Sequence, residues 1–551
     1  MWHQIYAPLG GSVGLSALVA ALPIVLFFAS LIVFKLKGHT AAFLSVALSV
    51  VIALVVYKMP AVMVASSFIY GFLYGLWPIS WIIIAAIFLY KLSVKSGYFE
   101  ILKESVQAIT PDHRILVILI GFCFGSFLEG AIGFGGPVAI TAAILVGLGL
   151  NPLYAAGLCL IANTAPVAFG AVGIPITAMA GAVGVSALSI SAMAGKILFF
   201  ISLLVPFFIV FLMDGVRGIK ETFPAVFVAA FSFALAQYLS SNYLGPELPG
   251  ILSAIVSLIA TALFLRFWQP KHIFRSDGKE VERNQQQHHI CKVLVAWAPF
   301  IILIATIVIW TQPWFKALFA KGGALAFSNF YFEFSSISQK ILKSAPFVFE
   351  GKSAASPVVF KLPLINTVGT SILVAALISI FVLRVKASEA IEVFGDTLKE
   401  MRYPILTIGL VLSFAFVSNY SGISATMALA LTHTGKAFTF FSPIIGWVGV
   451  FLTGSDTSSN LLFGSLQQLT ADNLKIPEIL TLTANTVGGT LGKMISPQSI
   501  AIACAAVGLA GKESDLFKFT VKYSIAFVIV IGIVVSVIAY GFPQIVPSTN
   551  P

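Results

Sequence analysis

The chain has 551 residues, of which 59% are hydrophobic and only 10% are charged. Soluble globular domains carry about 25% charged residues, so this composition excludes a soluble globular protein. The formal net charge of +11 does not indicate nucleic-acid binding, because most Lys and Arg residues lie in loops between long apolar runs.

Seven apolar runs stand out along the chain, and most of them approach the ~20 residues that a membrane-spanning helix needs. A helix satisfies its own backbone hydrogen bonds, which the bilayer core cannot do. The sequence therefore predicts an all-α polytopic membrane protein with about twelve transmembrane helices. The clearest runs are Leu15–Phe34, Ala41–Tyr57, Ile197–Met213, Leu252–Phe267, Val293–Trp310, Ile372–Val385 and Ser524–Tyr540.

The basic residues form five clusters between the apolar runs, and basic loops are retained in the cytoplasm. We expect both termini to be extracytoplasmic, the loop 271–292 to be cytoplasmic, and the long loop 311–368 to be extracytoplasmic despite its lysines. The clusters are Lys35 and Lys37; Lys91, Lys95, Lys103 and Arg114; Lys271, Arg275, Lys279, Arg283 and Lys292; Arg384, Lys386, Lys399 and Arg402; and Lys512, Lys518 and Lys522.

Two distant segments of the chain resemble each other. Leu158–Pro175 reads LCLIANTAPVAFGAVGIP, and Leu480–Pro497 reads LTLTANTVGGTLGKMISP, with seven identities in eighteen positions. Upstream of them stand FLEG at Phe127–Gly130 and FLTG at Phe451–Gly454. Such duplication is typical of transporters built from inverted repeats. We predict one transporter domain, 1–551, with repeat core units at 115–180 and 440–510.

Each copy contains features that interrupt an apolar helix. Asn-Thr is followed by Gly and Pro, and Pro removes a backbone donor. The second copy also contains the small, polar run Thr453–Asn460. Broken helices at membrane depth line cavities, and the N–H groups at a half-helix N-terminus suit an anion. The alternative is that the small residues serve only close helix packing.

Three ionisable residues lie close to the repeated motifs of the predicted units: Glu129 in the first, and Asp456 and Lys493 in the second. A charge at a helix centre costs at least about 2.5–3.5 kcal/mol, so it marks a functional site. Either acid is a candidate for carrying a coupled proton. Lys493 is a candidate for binding a carboxylate; pairing with Asp456 and snorkelling to the interface are its alternatives.

Several long motifs, among them FCFGSFLEGAIGFGGPVAI and GKMISPQSIAIACAAVGLAGKESDLFKFTVK, closely resemble those of the bacterial L-lactate permease family. The resemblance runs along the full length. It implies uptake of L-lactate, D-lactate and glycolate with protons across the inner membrane, and two inverted halves with re-entrant hairpins and an elevator-like movement. The matched positions expected to face the substrate are Asn163, Thr164, Ser455, Thr457, Ser458, Ser459, Asn460, Asn485, Thr486, Lys493, Ser496, Gln498 and Ser499.

Physical chemistry agrees with a small 2-hydroxy acid as the substrate. Helix N-termini and Lys493 suit its carboxylate. Asn163 and Asn485, related by the repeat, suit its hydroxyl while capping broken helices. Two other functions stay open: a carrier of another small carboxylate, such as a dicarboxylate, and a passive anion channel.

We expect no enzymatic activity, cofactor, metal ion or nucleic-acid partner. The buried acids belong to a Gly- and Thr-rich duplicated unit and have no histidine beside them. The expected partners are the substrate, protons and the lipid bilayer. The oligomeric state is open, with a homodimer among the possibilities.

Overall fold

The fold is that of a computed structural model, which describes residues 1–34, 36–133, 136–276, 289–343, 357–509 and 512–548. Helices make up most of it, so the predicted all-α class is confirmed. Lys35, Lys279 and Arg283 of the predicted basic clusters lie outside the described residues, as do 277–288 and 344–356 in the centres of the two long loops and residue 510 in the second predicted unit.

The helices follow one another closely along the chain. The first group is α1 (Val13–Ile32), α2 (Gly38–Val55), α3 (Ala61–Tyr74), α4 (Trp81–Lys95) and α5 (Tyr98–Gln107). The second is α6 (His113–Val117), α7 (Gly125–Ala131), α8 (Gly136–Gly147), α9 (Pro152–Ala162), α10 (Gly170–Val183), α11 (Ala187–Tyr243) and α12 (Pro249–Phe264). The third is α13 (Ile290–Thr311), α14 (Pro313–Ala317), α15 (Val368–Val382), α16 (Ala387–Ser421), α17 (Ile423–Thr432), α18 (Phe438–Thr453), α19 (Asp456–Leu474), α20 (Glu478–Lys493), α21 (Pro497–Ala506) and α22 (Glu513–Gly541).

Among the described residues, nine helices are long and apolar enough to cross a membrane. The count is ten if the bent pair Pro152–Ala162 and Val167–Val183, which meet at 66°, forms one span. The π-helical segment Ile118–Phe124 joins α6 and α7 into one buried span, His113–Ala131. Counting helices by their length and apolar composition therefore does not give the predicted twelve spans, and the exact number stays a prediction.

Helix α11 is interrupted near its middle. Its 57 residues would extend about 85 Å as one helix, far more than the ~30 Å of the bilayer core. The backbone leaves the helical region at Asp214 (φ −143°) and at Gly215 (φ 60°, ψ −152°), a conformation that glycine alone adopts readily. The break therefore divides α11 into two helices, and counting them separately adds one span.

Two small sheets lie in or beside the loop 311–368, where only a loop was predicted. Strand β1 (Trp2–His3) pairs in parallel with β3 (Ile341–Leu342), and β2 (Asn329–Glu333) pairs antiparallel with β4 (Val359–Pro363). The first pairing places the N-terminus and this loop on one side of the protein, as the prediction that both are extracytoplasmic requires. Which side faces the cytoplasm stays a prediction.

Arg114 is the centre of a buried ionic cluster at the start of α6. Its guanidinium donates to Asp112 at 2.8 Å, to Asp214 at 2.7 Å and to Glu221 at 2.8 Å. It also donates to the carbonyl oxygen of His272. The cluster therefore joins the beginning of α6 to the break in α11 and to the start of the loop 271–292.

The two predicted repeat units show the same order of elements. In the first, α7 is followed by a break, α8, α9, a second break and α10; in the second, α18 is followed by a break, α19, α20, a second break and α21. The units contact each other, since α10 packs against α19. This order is what duplication requires, while the repeat and its inversion stay predictions.

Replacing Arg114 by Leu is expected to destabilise the protein by about 3–5 kcal/mol, because it leaves the fully buried carboxyl group of Asp112 without its cation. The measurement is unfolding of purified protein in detergent, followed by tryptophan fluorescence. Arg217→Ala is the control: this exposed side chain pairs with the same Glu221, and exposed ion pairs contribute little. Equal unfolding midpoints for the two variants would contradict the structural role of Arg114.

Candidate functional site

A polar cavity of about 70 Å³ lies where the breaks of the two units meet. It has room for a few water molecules or a small organic acid. A larger cavity of about 680 Å³ beside α15 and α16 is lined mainly by aliphatic and aromatic side chains and by no acid, as expected of a lipid-facing surface. The polar cavity is lined by Glu129, Gly133, Val167, Gly170, Ala171, Ile174, Pro175, Gly454, Ser455, Asp456, Thr457, Lys493 and Gln498.

A buried ion pair connects the two units at this cavity. Lys493 Nζ, at the end of α20, donates to Glu129 Oε1 of α7 at 2.5 Å. The other carboxyl oxygen, Oε2, accepts from Asn163 Nδ2 at 3.1 Å. The two ionic side chains are 9% and 2% exposed. Solvent is largely excluded, so each charge depends on the other for its stabilisation.

The carboxyl group of Glu129 packs directly against the backbone of a glycine, Gly170. A Cβ atom on Gly170 would lie 2.9 Å from Glu129 Oε1, closer than such contacts occur. Gly170 precedes Ala171, Val172 and Gly173, which all adopt left-handed backbone angles (φ 44°, 58° and 73°). A left-handed Ala or Val costs roughly 1–2 kcal/mol, and such strain is concentrated at functional sites.

Asp456 enters the cavity as the first residue of α19. Ser455 caps the helix, since its Oγ accepts from the backbone N–H of Ser458 at 3.2 Å. Asp456 is 4% exposed, and among the described residues neither of its carboxyl oxygens has a hydrogen-bond partner. Both Lys493 and Glu129 are close enough to act on it electrostatically. The cavity therefore combines one cation with two acids.

Three helix N-termini face the cavity. The helical part of α10 begins at Ile174 after the left-handed residues, α19 begins at Asp456, and α21 begins at Pro497 after its cap Ser496. N–H groups at a helix N-terminus carry partial positive charge. Together with Lys493 they provide the environment that a small anion requires.

Of the predicted site residues, six line the cavity, and a seventh is bonded to the Glu129 carboxyl group. The lining residues are Glu129, Ser455, Asp456, Thr457, Lys493 and Gln498, and Asn163 binds Glu129. Eight others do not line it: Thr164, Ser458, Ser459, Asn460, Asn485, Thr486, Ser496 and Ser499. Substrate contact by any of these residues stays a prediction.

Several residues outside the lining form a buried amide network. Gln467 Nε2 donates to Asn485 Oδ1 at 3.1 Å, and Asn485 Nδ2 donates to Asn460 Oδ1 at 2.9 Å. Asn460 Nδ2 then donates to the carbonyl oxygen of Pro175 at 3.1 Å. These side chains position the start of α10 against α19. They therefore influence the shape of the cavity without lining it.

The predicted capping role of Asn485 is wrong, although the helix does break before the proline of the motif. Helix α20 continues through Asn485, Thr486 and three glycines to Lys493, and the break lies between Lys493 and Pro497. Asn485 stays helical because its amide finds partners on α19 and need not cap a helix end. In the first unit, α9 does end at Ala162, with Asn163 as its C-terminal cap.

The predicted alternatives for Lys493 were pairing with Asp456 and snorkelling, but its close partner is Glu129. Sequence reasoning also missed Gly170, Ala171 and Pro175 as lining residues. The sequence GAVGIP offered a signal in its glycines and proline. Nothing in Ala or Val, however, indicates left-handed backbone.

A bundle of apolar helices that holds a buried ion pair where broken helices meet is the architecture of a multi-pass membrane transporter. The family model described as L-lactate permease matches residues 16–542. The chain therefore belongs to the L-lactate permease family. This membership supports a transporter rather than an enzyme.

Individual relatives cover almost the whole chain. The L-lactate permease of Salmonella typhimurium is 54% identical over 99% of this chain and 100% of its own length. The glycolate permease GlcA of Escherichia coli (strain K12) is 52% identical, with the same coverage of 99% and 100%. The L-lactate permease of Bacillus subtilis (strain 168) is 47% identical over 99% of this chain and 100% of its own length.

Gly489→Ala is expected to destabilise the protein by about 1–3 kcal/mol, because its Cβ would overpack the site. That atom would lie 2.1 Å from Asp456 Oδ1 and 2.7 Å from Val450 Cγ2. Gly395→Ala in α16 is the control: nothing lies within 4 Å of its Cβ, and it is expected to stabilise by about 0.5–1 kcal/mol. Unfolding in detergent compares them, and a stabilising Gly489→Ala would refute the close packing.

Proposed function

We propose that the protein is a secondary transporter that imports L-lactate, and also D-lactate and glycolate, across the bacterial inner membrane in symport with protons. Relatives named L-lactate permease and glycolate permease, at 47–54% identity over nearly the whole chain, support the substrate class. The observation that carries the proton coupling is the Glu129–Lys493 pair in the polar cavity.

The ion pair makes the substrate and the proton interdependent. Lys493 is the cation at the cavity, and its ammonium group pairs with Glu129 when no other anion is bound. A substrate carboxylate binds Lys493 only by replacing Glu129. The displaced carboxylate of Glu129 is then buried without a cation, which is costly, and protonation removes that cost. A proton on Glu129 and an anion on Lys493 therefore bind together.

The size of the cavity fits the same substrate class. About 70 Å³ suits a two- or three-carbon acid better than a longer dicarboxylate. One carboxylate also matches one cation, since a second carboxylate would face Glu129 and Asp456. These two features favour a monocarboxylate over the alternative of a dicarboxylate carrier.

Purified protein in liposomes is expected to accumulate labelled L-lactate against its concentration gradient when an inward proton gradient is imposed. Unlabelled D-lactate and glycolate should compete. Protein-free liposomes are the control for passive entry. A membrane potential alone should drive little accumulation if one proton accompanies one anion. Uptake that only equilibrates, without counterflow, would indicate the passive channel, and entry of a dicarboxylate without L-lactate would refute the substrate class.

Glu129→Gln is expected to abolish accumulation driven by the proton gradient, because an amide does not take up or release a proton near neutral pH. Exchange of L-lactate across the membrane at equal pH should remain, since Lys493 then lacks a competing anion. Glu400→Gln is the control, because it alters a Lys–Glu pair, with Lys91, that does not line the cavity. Asp456→Asn is measured in parallel. If it loses proton coupling while Glu129→Gln retains it, the proton is carried by Asp456 instead.

A further inference from the structure

Asp456 differs from the other charged groups of the cavity in having no hydrogen bond. Glu129 accepts from Lys493 and Asn163, and Lys493 donates to Glu129. Asp456 lines the same cavity and is only 4% exposed. Among the described residues, however, both of its carboxyl oxygens lack a donor. Buried carboxyl oxygens are nearly always hydrogen-bonded, so this pair of acceptors is suited to a donor that the protein does not supply.

The position of Asp456 is fixed by its surroundings. Ser455 caps the start of α19, and the Asp456 carboxyl group packs against Gly489, where any Cβ would collide with it. Lys493 lies at the end of the same helix, α20, that carries Gly489. An acceptor and a cation therefore border one small cavity in a fixed arrangement.

We propose that Asp456 selects 2-hydroxy acids: its carboxyl group accepts the hydrogen bond of the hydroxyl on C2, while Lys493 binds the carboxylate. This inference rests on the proposed function and adds the basis of its specificity. L-Lactate and glycolate each carry one hydroxyl donor that propionate and acetate lack. A carboxyl group offers an acceptor oxygen whether it is ionised or protonated, so the contact is available in either state.

The amides of Asn485 and Asn163 are the alternative acceptors for the hydroxyl. Asn485 is excluded because its amide is engaged by Gln467 and Asn460 outside the cavity lining. Asn163 Oδ1 also lacks a partner among the described residues, but its amide lies behind Glu129 and does not line the cavity. Asp456 lines the cavity, and among the described residues both of its carboxyl oxygens lack a donor. Asn163 serves as the comparison in the test.

The test compares pairs of acids that differ only by the 2-hydroxyl. Unlabelled L-lactate and propionate, and glycolate and acetate, compete with labelled L-lactate in counterflow into proteoliposomes at one fixed pH. The hydroxy acid of each pair should inhibit at least about tenfold better with the wild-type protein, because an analogue without the donor leaves the buried acceptor unpaired.

Asp456→Leu keeps the branched shape but removes both acceptors. It is expected to weaken inhibition by L-lactate and glycolate about tenfold or more and to leave propionate and acetate within about twofold, so that discrimination disappears. Asp456→Asn retains one acceptor oxygen and should keep most of the discrimination. Asn163→Leu should keep it as well. If a variant no longer transports, the same four acids are compared by the thermal shift that each gives the purified protein.

The outcomes separate this inference from the function on which it rests. No lactate counterflow in the wild type would refute the proposed function. Lactate counterflow without discrimination against propionate, or discrimination that survives in Asp456→Leu, would refute the role of Asp456 alone. Loss of discrimination in Asn163→Leu would transfer the role to that amide. If Asp456→Leu does not fold, Asp456→Ala, which also removes both acceptors, replaces it, and discrimination that survives in that variant overturns the assignment.

Discussion

The site depends on one ion pair, between Glu129 and Lys493, placed where water is nearly absent. Removing two charges from water costs several kcal/mol per ion, and their attraction offsets this only with close geometry and further hydrogen bonds. The contact with Asn163 supplies such a bond. An ion pair of this kind is weak evidence for stability. In the proposed function it serves as two opposite charges that the substrate anion separates.

The backbone around the pair is arranged to permit that closeness. Gly170 leaves space for Glu129, and Gly489 leaves space for Asp456. Gly173 adopts a positive φ where a Cβ would lie 2.3 Å from the carbonyl oxygen of Pro246. Each of these positions brings a side chain or a helix end nearer to the cavity than a larger residue would allow. Strained backbone and small residues are therefore as much part of the site as its charges.

The sequence predicted the features that depend on local pattern. Apolar runs identified the helices, because a helix in lipid needs little more than apolar residues of sufficient number. The duplicated FLEG and FLTG motifs brought Glu129 and Asp456 to attention, and the structure places both acids at one cavity. Lys493 was predicted as a site residue for a different reason: a charge within an apolar helix is costly and therefore marks a functional position.

Features that depend on how distant helices are turned toward each other were not predictable. The choice of Glu129 over Asp456 as the partner of Lys493 is set by the relative rotation of α7, α19 and α20. Asn485 was expected to end a helix, because Asn usually does so in water. In this core, Asn460 and Gln467 satisfy its amide, and the helix continues. The left-handed Ala171 arises from packing that opposes its own preference.

The separation of the paired residues along the chain has a consequence for synthesis. Glu129 and Lys493 are 364 residues apart, which a ribosome adds in about 20–70 s at roughly 5–20 residues per second. Glu129 enters the membrane long before its cation exists, whereas Asn163 follows after only 34 residues. Through that interval the first unit offers Glu129 its amide partner but no cation, and the ion pair can form only once the second unit has been made. The contact that the proposed transport cycle would open and close repeatedly is therefore also the last contact of the site to be assembled.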